Sequence, residues 1–166
     1  MMNRRFCGSA AVCAALFVAL LWGATISCYA QGRRAVNLSG ASQTLPFSDG
    51  IIVGNTLYVS GQQGTDSNGK LESGITAQTR AALETIKKVV TRAGFGMDSV
   101  VTVNVYLSDV HDFAAMNKVY TTFFPNPKPT RTTVQVAALV NGAKIEISAI
   151  AARKPKPGFV PIPSPE

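Results

Sequence analysis

Residues 129–151 read PTRTTVQVAALVNGAKIEISAIA, and the fold turns on how this stretch is taken. Apolar and polar residues alternate on both sides of Asn141-Gly142, the period of a half-buried strand. Asn-Gly is the favoured pair for a two-residue hairpin turn, because both central positions need positive φ. A hairpin is therefore expected, its two strands side by side. In that register Arg131, Thr133, Gln135, Ala137 and Leu139 share one sheet face with Glu146, Ser148, Ile150 and Ala152. Glu146 then lies opposite Ala137, and Arg131 sits about six strand positions away, on the order of 20 Å. The two charges share a face yet cannot share a ligand within one chain. Two readings stand: a solvated strand-end arginine beside an interface glutamate, or Arg131 of one subunit meeting Glu146 of its neighbour in a cleft.

Working outward, IIVGNTLYVSG (residues 51–61) gives two short apolar runs around Gly54-Asn55, a hairpin signal. The polar stretch GQQGTDSNGKLESG carries several turn residues and reads as a loop. ITAQTRAALETIKKVVTRAG places Ile75, Ala82, Ile86, Val89, Val90 and Ala93 on one helical stripe, with Gly94 where a C-terminal cap belongs. SVVTVNVYLSD alternates as a strand, with Val101, Val103, Val105 and Leu107 on one face. DFAAMNKVYTTFF reads as a second helix, stopped by Pro125. The order ββαβαββ predicts an α+β domain: a mixed sheet with two helices on one face. The other face is of mixed polarity, which predicts packing on a second copy.

The ends differ from this middle. MMNRR is a short positive segment, followed by an uncharged run from Cys7 to Ala30 that ends on a small residue. That is the layout of a secretory signal peptide over residues 1–30, and it predicts an exported protein, periplasmic or secreted, with a mature start at Gln31 and no membrane attachment after cleavage. An uncleaved anchor is the main rival, and a lipoprotein at Cys28 a weaker one. Residues 31–44 read as a lead-in loop, residues 45–153 as the domain, and the proline-rich residues 154–166 as an extended, disordered tail.

Composition removes several chemistries. All three cysteines lie in the leader, so a mature chain starting at Gln31 has no thiol nucleophile, disulfide or cysteine metal site. His111 is the single histidine, and it reads as a solvated or capping residue at a helix start. That leaves no basis for a Ser-His-Asp triad or a multi-histidine metal site. The net charge of +7 is scattered and not interleaved with aromatics, so it favours solubility over a specific nucleic-acid interface.

The segments PFSDGIIVGNTLYVSGQQG, ITAQTRAALETIKKVVTRAG, SVVTVNVYLSDVHDFAAMNKVYTTFF, PTRTTVQVAAL and KIEISAIA occur in this order and spacing. Together they resemble the RidA/YjgF family of imine deaminases, from about Leu45 to Ala152. The resemblance implies a chorismate-mutase-like fold and a homotrimer with sites between subunits. It implies hydrolysis of reactive 2-enamino and 2-imino acids to 2-oxo acids and ammonia, with no cofactor and no metal. The family's substrate-binding arginine falls on Arg131 and its glutamate on Glu146, the two catalytic candidates. Phe47, Ser60, Gly61, Asn117 and Thr133 fall at positions near the cleft. Phe47 stands where many members carry Tyr, and Thr133 where some carry Cys.

The chemistry fits those side chains independently. Arginine's planar fork holds a carboxylate bidentately and so fixes the neighbouring electrophilic carbon. A carboxylate such as Glu146 can accept a proton from an attacking water. The alternative is an exported protein that uses Arg131 to capture a small carboxylate without turnover. A ribonuclease lacks support from paired histidines or a base-stacking platform.

Overall fold

The computed structural model describes residues 32–38 and 46–153. The predicted signal peptide, the proline-rich tail and part of the lead-in lie outside the described residues. The elements are β1 (Arg34–Val36), β2 (Gly50–Val53), β3 (Thr56–Gln63), α1 (Gly74–Arg92), β4 (Val100–Leu107), α2 (Phe113–Tyr120), β5 (Thr130–Gln135) and β6 (Ile145–Ala152). They form one six-stranded sheet in the order β1-β2-β3-β6-β4-β5. The expected ββαβαββ order is present, preceded by a short strand inside the stretch read as lead-in loop. That strand pairs antiparallel with β2, Ala35 opposite Ile51. Three residues carry too little periodicity to be seen in sequence.

The helices pack on one face, and burial drives their placement. Along β6 the residues alternate, Ile145, Ile147, Ala149 and Ala151 buried beneath the helices, Glu146, Ser148, Ile150 and Ala152 half-buried on the open face. α1 turns Ile75, Thr79, Ala82, Leu83, Ile86, Val89 and Val90 inward. Each large side chain so buried contributes about 1.5–3 kcal/mol. Gly94, at φ 79°, ends α1; Gly94 N–H donates to the Thr91 carbonyl and Phe95 N–H to that of Val90. A left-handed glycine closing the helix this way is the cap its position predicted. α2 stops at Tyr120, before Pro125, where Thr122 Oγ1 donates to the Val119 carbonyl at 2.7 Å.

Two expectations fail, both through strand register. First, β5 and β6 are not a hairpin. β5 pairs parallel with β4, and β4 pairs antiparallel with β6, so β4 separates them. The physical reason is the helix between β4 and β5: a strand-helix-strand unit returns its second strand parallel to the first. Asn141 (φ 58°) and Gly142 (φ 73°) do take positive φ, but inside a short helical turn. The connection crosses the end of β4, where Val136 N–H donates to the Leu107 carbonyl and Ser108 N–H to that of Lys144.

The faces change accordingly. Arg131 pairs with Val103 and Thr133 with Val105, and paired residues point to the same side. Val103 and Val105 are fully buried against the helices. Arg131, Thr133 and Gln135 therefore lie on the helix face, and Glu146 on the open face, not together as the hairpin predicted. Second, Val101 does not join the core. A register shift between Val100 and Thr102 buries Val100 (5% exposed) and turns Val101 out (45%).

Candidate functional site

The sheet builds two separate clusters from the residues singled out in sequence. The first sits where α2 crosses the edge strand β5. Phe113, Asn117 and Tyr120 follow the i, i+4, i+7 spacing of one helix face. Arg131 lies against that face. Its Nη1 donates to Asn117 Oδ1 at 2.7 Å, its guanidinium carbon is 4.5 Å from the Tyr120 ring centre, and 5.5 Å from that of Phe113. Stacking of this kind is worth about 0.5–2 kcal/mol and fixes the plane of the guanidinium. Among the described residues no carboxylate pairs with Arg131; the ion pairs there join Asp109 to His111 and Asp112 to Lys144. An arginine held on one edge and on its flat face, with no counter-charge, is prepared for an anion.

Two buried polar atoms accompany it without hydrogen-bond partners in the described chain: Tyr120 Oη and Thr133 Oγ1. Burial raises the Tyr120 phenol above its ordinary range, the Arg131 charge working against that shift.

The second cluster lies across the sheet. A bulge in β3 makes it. Val59 pairs with Ala149 but Gln62 pairs with Ile147, so Ser60 and Gly61 together face the single residue Ser148. The missing side chain of Gly61 provides the space that Glu146 occupies: a Cβ added there would overlap Glu146 Oε1. Gln63, directly across from Glu146, donates from Nε2 to Glu146 Oε2 at 3.2 Å. A cleft of about 570 Å³ is lined by Phe47, Ser60, Gly61, Gln63, Asn141 and Glu146, among others.

The early strand holds the rim of this cleft. Leu38 N–H donates to Asp49 Oδ2 at 2.7 Å, Asp49 N–H to Asn37 Oδ1 at 3.2 Å, and Ser60 Oγ to the Ser48 carbonyl at 2.6 Å. These bonds anchor the turn that presents Phe47, a residue 53% exposed.

The structure thus brings Phe47, Ser60, Gly61 and Glu146 together, and separately Asn117, Arg131 and Thr133. It does not bring the groups together in one chain, since Arg131 and Glu146 point to opposite sides of the sheet. Sequence reasoning missed Tyr120, Phe113 and Gln63. The helical spacing 113-117-120 was a usable signal; the Gln63 contact depends on a bulge that no pattern announces. His111 is solvated, as one of the two expected roles had it, and the cap is Asp109, whose Oδ1 accepts the His111 N–H at 2.9 Å and lies 2.7 Å from its Nδ1. No cluster of His, Cys, Asp and Glu among the described residues could hold a metal ion.

Fold and site together define a class of small α+β domains: a mixed sheet, helices on one face, and an unpaired charged side chain on each side. Residues 40–153 match the family described as Endoribonuclease L-PSP, the YjgF/RidA family, and the chain belongs to it. A RutC family protein of Pyrococcus horikoshii is 44% identical over 108 residues, covering 64% of this chain and 86% of its own. The 2-iminobutanoate/2-iminopropanoate deaminase of the goat, Capra hircus, is 37% identical over 126 residues, 74% of this chain and 92% of its own. The crystal structure of RidA from an Antarctic Psychrobacter species superposes with a TM-score of 0.68 at 36% identity, covering 72% of this chain and 99% of that one. The family expected from the motifs is the family found.

Proposed function

We propose that this protein hydrolyses 2-imino acids, and their enamine tautomers, to 2-oxo acids and ammonia, at sites shared between copies of the chain in a homotrimer. One observation carries the reading: Arg131 and Glu146 are each built into a prepared cluster without an ionic partner among the described residues, on opposite faces of one sheet. Only a second chain can set one against the other.

In this reading the substrate carboxylate takes the open N–H groups of Arg131, whose plane Tyr120 and Asn117 fix. The C=N carbon then lies in the neighbour's cleft beside Glu146. A water oxygen adds to that carbon while Glu146 accepts one of its protons and passes it to nitrogen. The hydroxyl proton of the tetrahedral carbinolamine then passes, again by way of Glu146, to the amino nitrogen; the C–N bond breaks and ammonia leaves as the C=O bond forms. Imines hydrolyse readily in water, so positioning supplies most of the acceleration required. The similarity to proteins named as 2-iminobutanoate/2-iminopropanoate deaminases supports the substrate class. Phe47 brings a ring without a hydroxyl to the rim, so it can shape the cleft but not donate a proton.

The test is complementation. Arg131→Ala and Glu146→Gln chains should each be nearly inactive on 2-iminopropionate generated in situ. Co-expressed with different tags, they should regain activity, because in random trimers about a quarter of the interfaces join an intact Arg131 to an intact Glu146. No recovery in verified mixed trimers would place the site elsewhere. Binding of small carboxylates with no 2-oxo acid released would leave a capture protein. We also propose that residues 1–30 direct export; an N-terminal mass beginning at Gln31 in the exported fraction tests that.

A further inference from the structure

The family resemblance assigns no role to Gln63, yet its side chain hydrogen-bonds to Glu146. It reaches there through the β3 bulge. Had the Val59–Ala149 register run on unbulged through the same sequence, Gln62 would oppose Glu146 and Gln63 would point to the other face. With it, Gln63 and Glu146 form a direct cross-strand pair on the open face. Gln63 Nε2 donates twice, to Glu146 Oε2 at 3.2 Å and to the Val140 carbonyl at 3.2 Å. Both partners are pure acceptors, so the carboxamide has one allowed orientation; flipped, its oxygen would face two oxygens. Both amide hydrogens are thereby committed.

The consequence falls on Glu146. Oε2 is tied by Gln63, while Oε1 lies over the backbone at Gly61 and has no hydrogen-bond partner among the described residues. The side chain is gripped on one oxygen and left free on the other. The same amide ties Glu146 to the turn at Val140, whose side chain is exposed and lines the same cleft.

We propose that Gln63 is a positioning residue for the reaction: it fixes the Glu146 carboxylate by Oε2 so that Oε1 is the oxygen that takes the proton from water. The proposal rests on the deaminase reading above. Gln63 touches no reacting atom and acts through Glu146, so its removal should slow turnover without weakening carboxylate capture, which belongs to Arg131.

Gln63→Met keeps the length and removes the donor. The expected result with 2-iminopropionate is a kcat lowered about tenfold, with KM within about twofold of the parent and an unchanged trimer and melting temperature. Placed in a Glu146→Gln background, Gln63→Met should then change the residual rate by less than about twofold, because two residues acting as one unit do not add. An equal loss in both backgrounds, or a parent-like kcat in the single variant, overturns the proposal. A crystal structure of Gln63→Met supplies a reading that needs no activity. Glu146 leaving its seat over Gly61 supports positioning by Gln63; Glu146 unmoved and equally ordered overturns it. If the parent itself deaminates nothing, the functional reading fails, and this structural comparison still decides what holds Glu146.

Discussion

The helix face and the open face of the same sheet hold their charged residues by different means. Arg131 rests on packed aromatic rings and one short bond to Asn117, beside side chains that also form the core. Glu146 rests on a glycine, a bulge and one amide, at the wall of an open cleft. The first is a stacked and stiff mounting, suited to locking a planar anion in one orientation. The second is polar and open, suited to admitting water beside a carboxylate. On the proposed reading, positioning and proton transfer fall to different layers of the fold, and the sheet keeps them apart until two chains meet.

The largest effect should come from breaking the stiff side. Arg131→Lys keeps the charge but loses the fork, and loss of one charge-assisted hydrogen bond costs about 1.5–3 kcal/mol, roughly ten- to a hundredfold in kcat/KM. Arg131→Ala should cost more, since the substrate carboxylate then has no counter-charge. A coupled assay for the 2-oxo acid measures both, with melting curves in parallel. If the folded Ala variant keeps the parent kcat/KM, the carboxylate does not bind there. If it loses the trimer instead, Arg131 is an assembly residue.

Two glycines near the bulge separate activity from stability on the open side. The nearest atoms a Cβ at Gly61 would meet belong to the Glu146 side chain, its carboxylate first, which can swing away. Gly61→Ala should therefore leave the melting temperature nearly unchanged and lower kcat about tenfold or more, by displacing the carboxylate. A Cβ at Gly64 would meet the backbone of Gln78 in α1, which cannot move alone. Gly64→Ala should cost about 1–3 kcal/mol of stability, read from denaturant midpoints. A Gly61→Ala protein with parent turnover would show that Glu146 does not need its observed seat.

The sequence carried the elements well and their pairing poorly. α1 was legible because its stripe spans five turns and ends on Gly94. The candidate residues were legible from family motifs, and all seven fall in one or other cluster. Which face each occupies was not legible. Alternation along 129–151 is real, but period-two patterning does not say which neighbour a strand chooses. The Asn-Gly pair favoured a hairpin locally, whereas the helix before β5 forced a parallel crossover, and topology prevailed over the turn. Bulges at Ser60-Gly61 and Val101 shifted faces by one residue, which alternation alone cannot reveal. The corrected faces strengthen the two-chain reading, since opposite sides of a sheet separate the charges more firmly than distance along one side.

A smaller effect tests how complete the stiff side is within one chain. Tyr120 Oη is buried without a partner among the described residues, a state that costs about 1–3 kcal/mol. Tyr120→Phe keeps the ring beneath Arg131 and deletes the orphaned hydroxyl. It should leave kcat/KM within about twofold and stability equal or raised by up to about 1 kcal/mol. Destabilisation, measured by denaturant unfolding, would mean that the hydroxyl finds a partner in the assembled protein, and so would place Tyr120 at the contact between chains.

The smallest effects should appear in pH, with opposite signs on the two sides. On the cleft side, Asp66 Oδ1 accepts the N–H of Lys70 at 2.9 Å and of Asn68 at 2.8 Å, and these backbone bonds hold its carboxyl below the ordinary 3.8. A lowered folded pKa gives a contribution that is intact above the unfolded value and lost as pH falls through the folded one. Across the sheet, burial raises the Tyr120 phenol above the ordinary 10.0, partly offset by Arg131. A raised folded pKa gives the reverse: a contribution intact below the unfolded value and lost as pH rises through the folded one. The loop that carries Thr65 to the cleft should therefore loosen in acid, and the Arg131 platform in alkali. Hydrogen exchange at the Asn68 and Lys70 amides should speed up below about pH 4 beyond the intrinsic rate, and Asp66→Ala should show that faster exchange at neutral pH already. Above about pH 10 the parent should lose stability more steeply than Tyr120→Phe, which has no phenol to titrate. Identical alkaline melting curves for the two would mean that Tyr120 does not ionise differently on folding, and the contrast between the aromatic arginine side and the polar glutamate side would lose its electrostatic half.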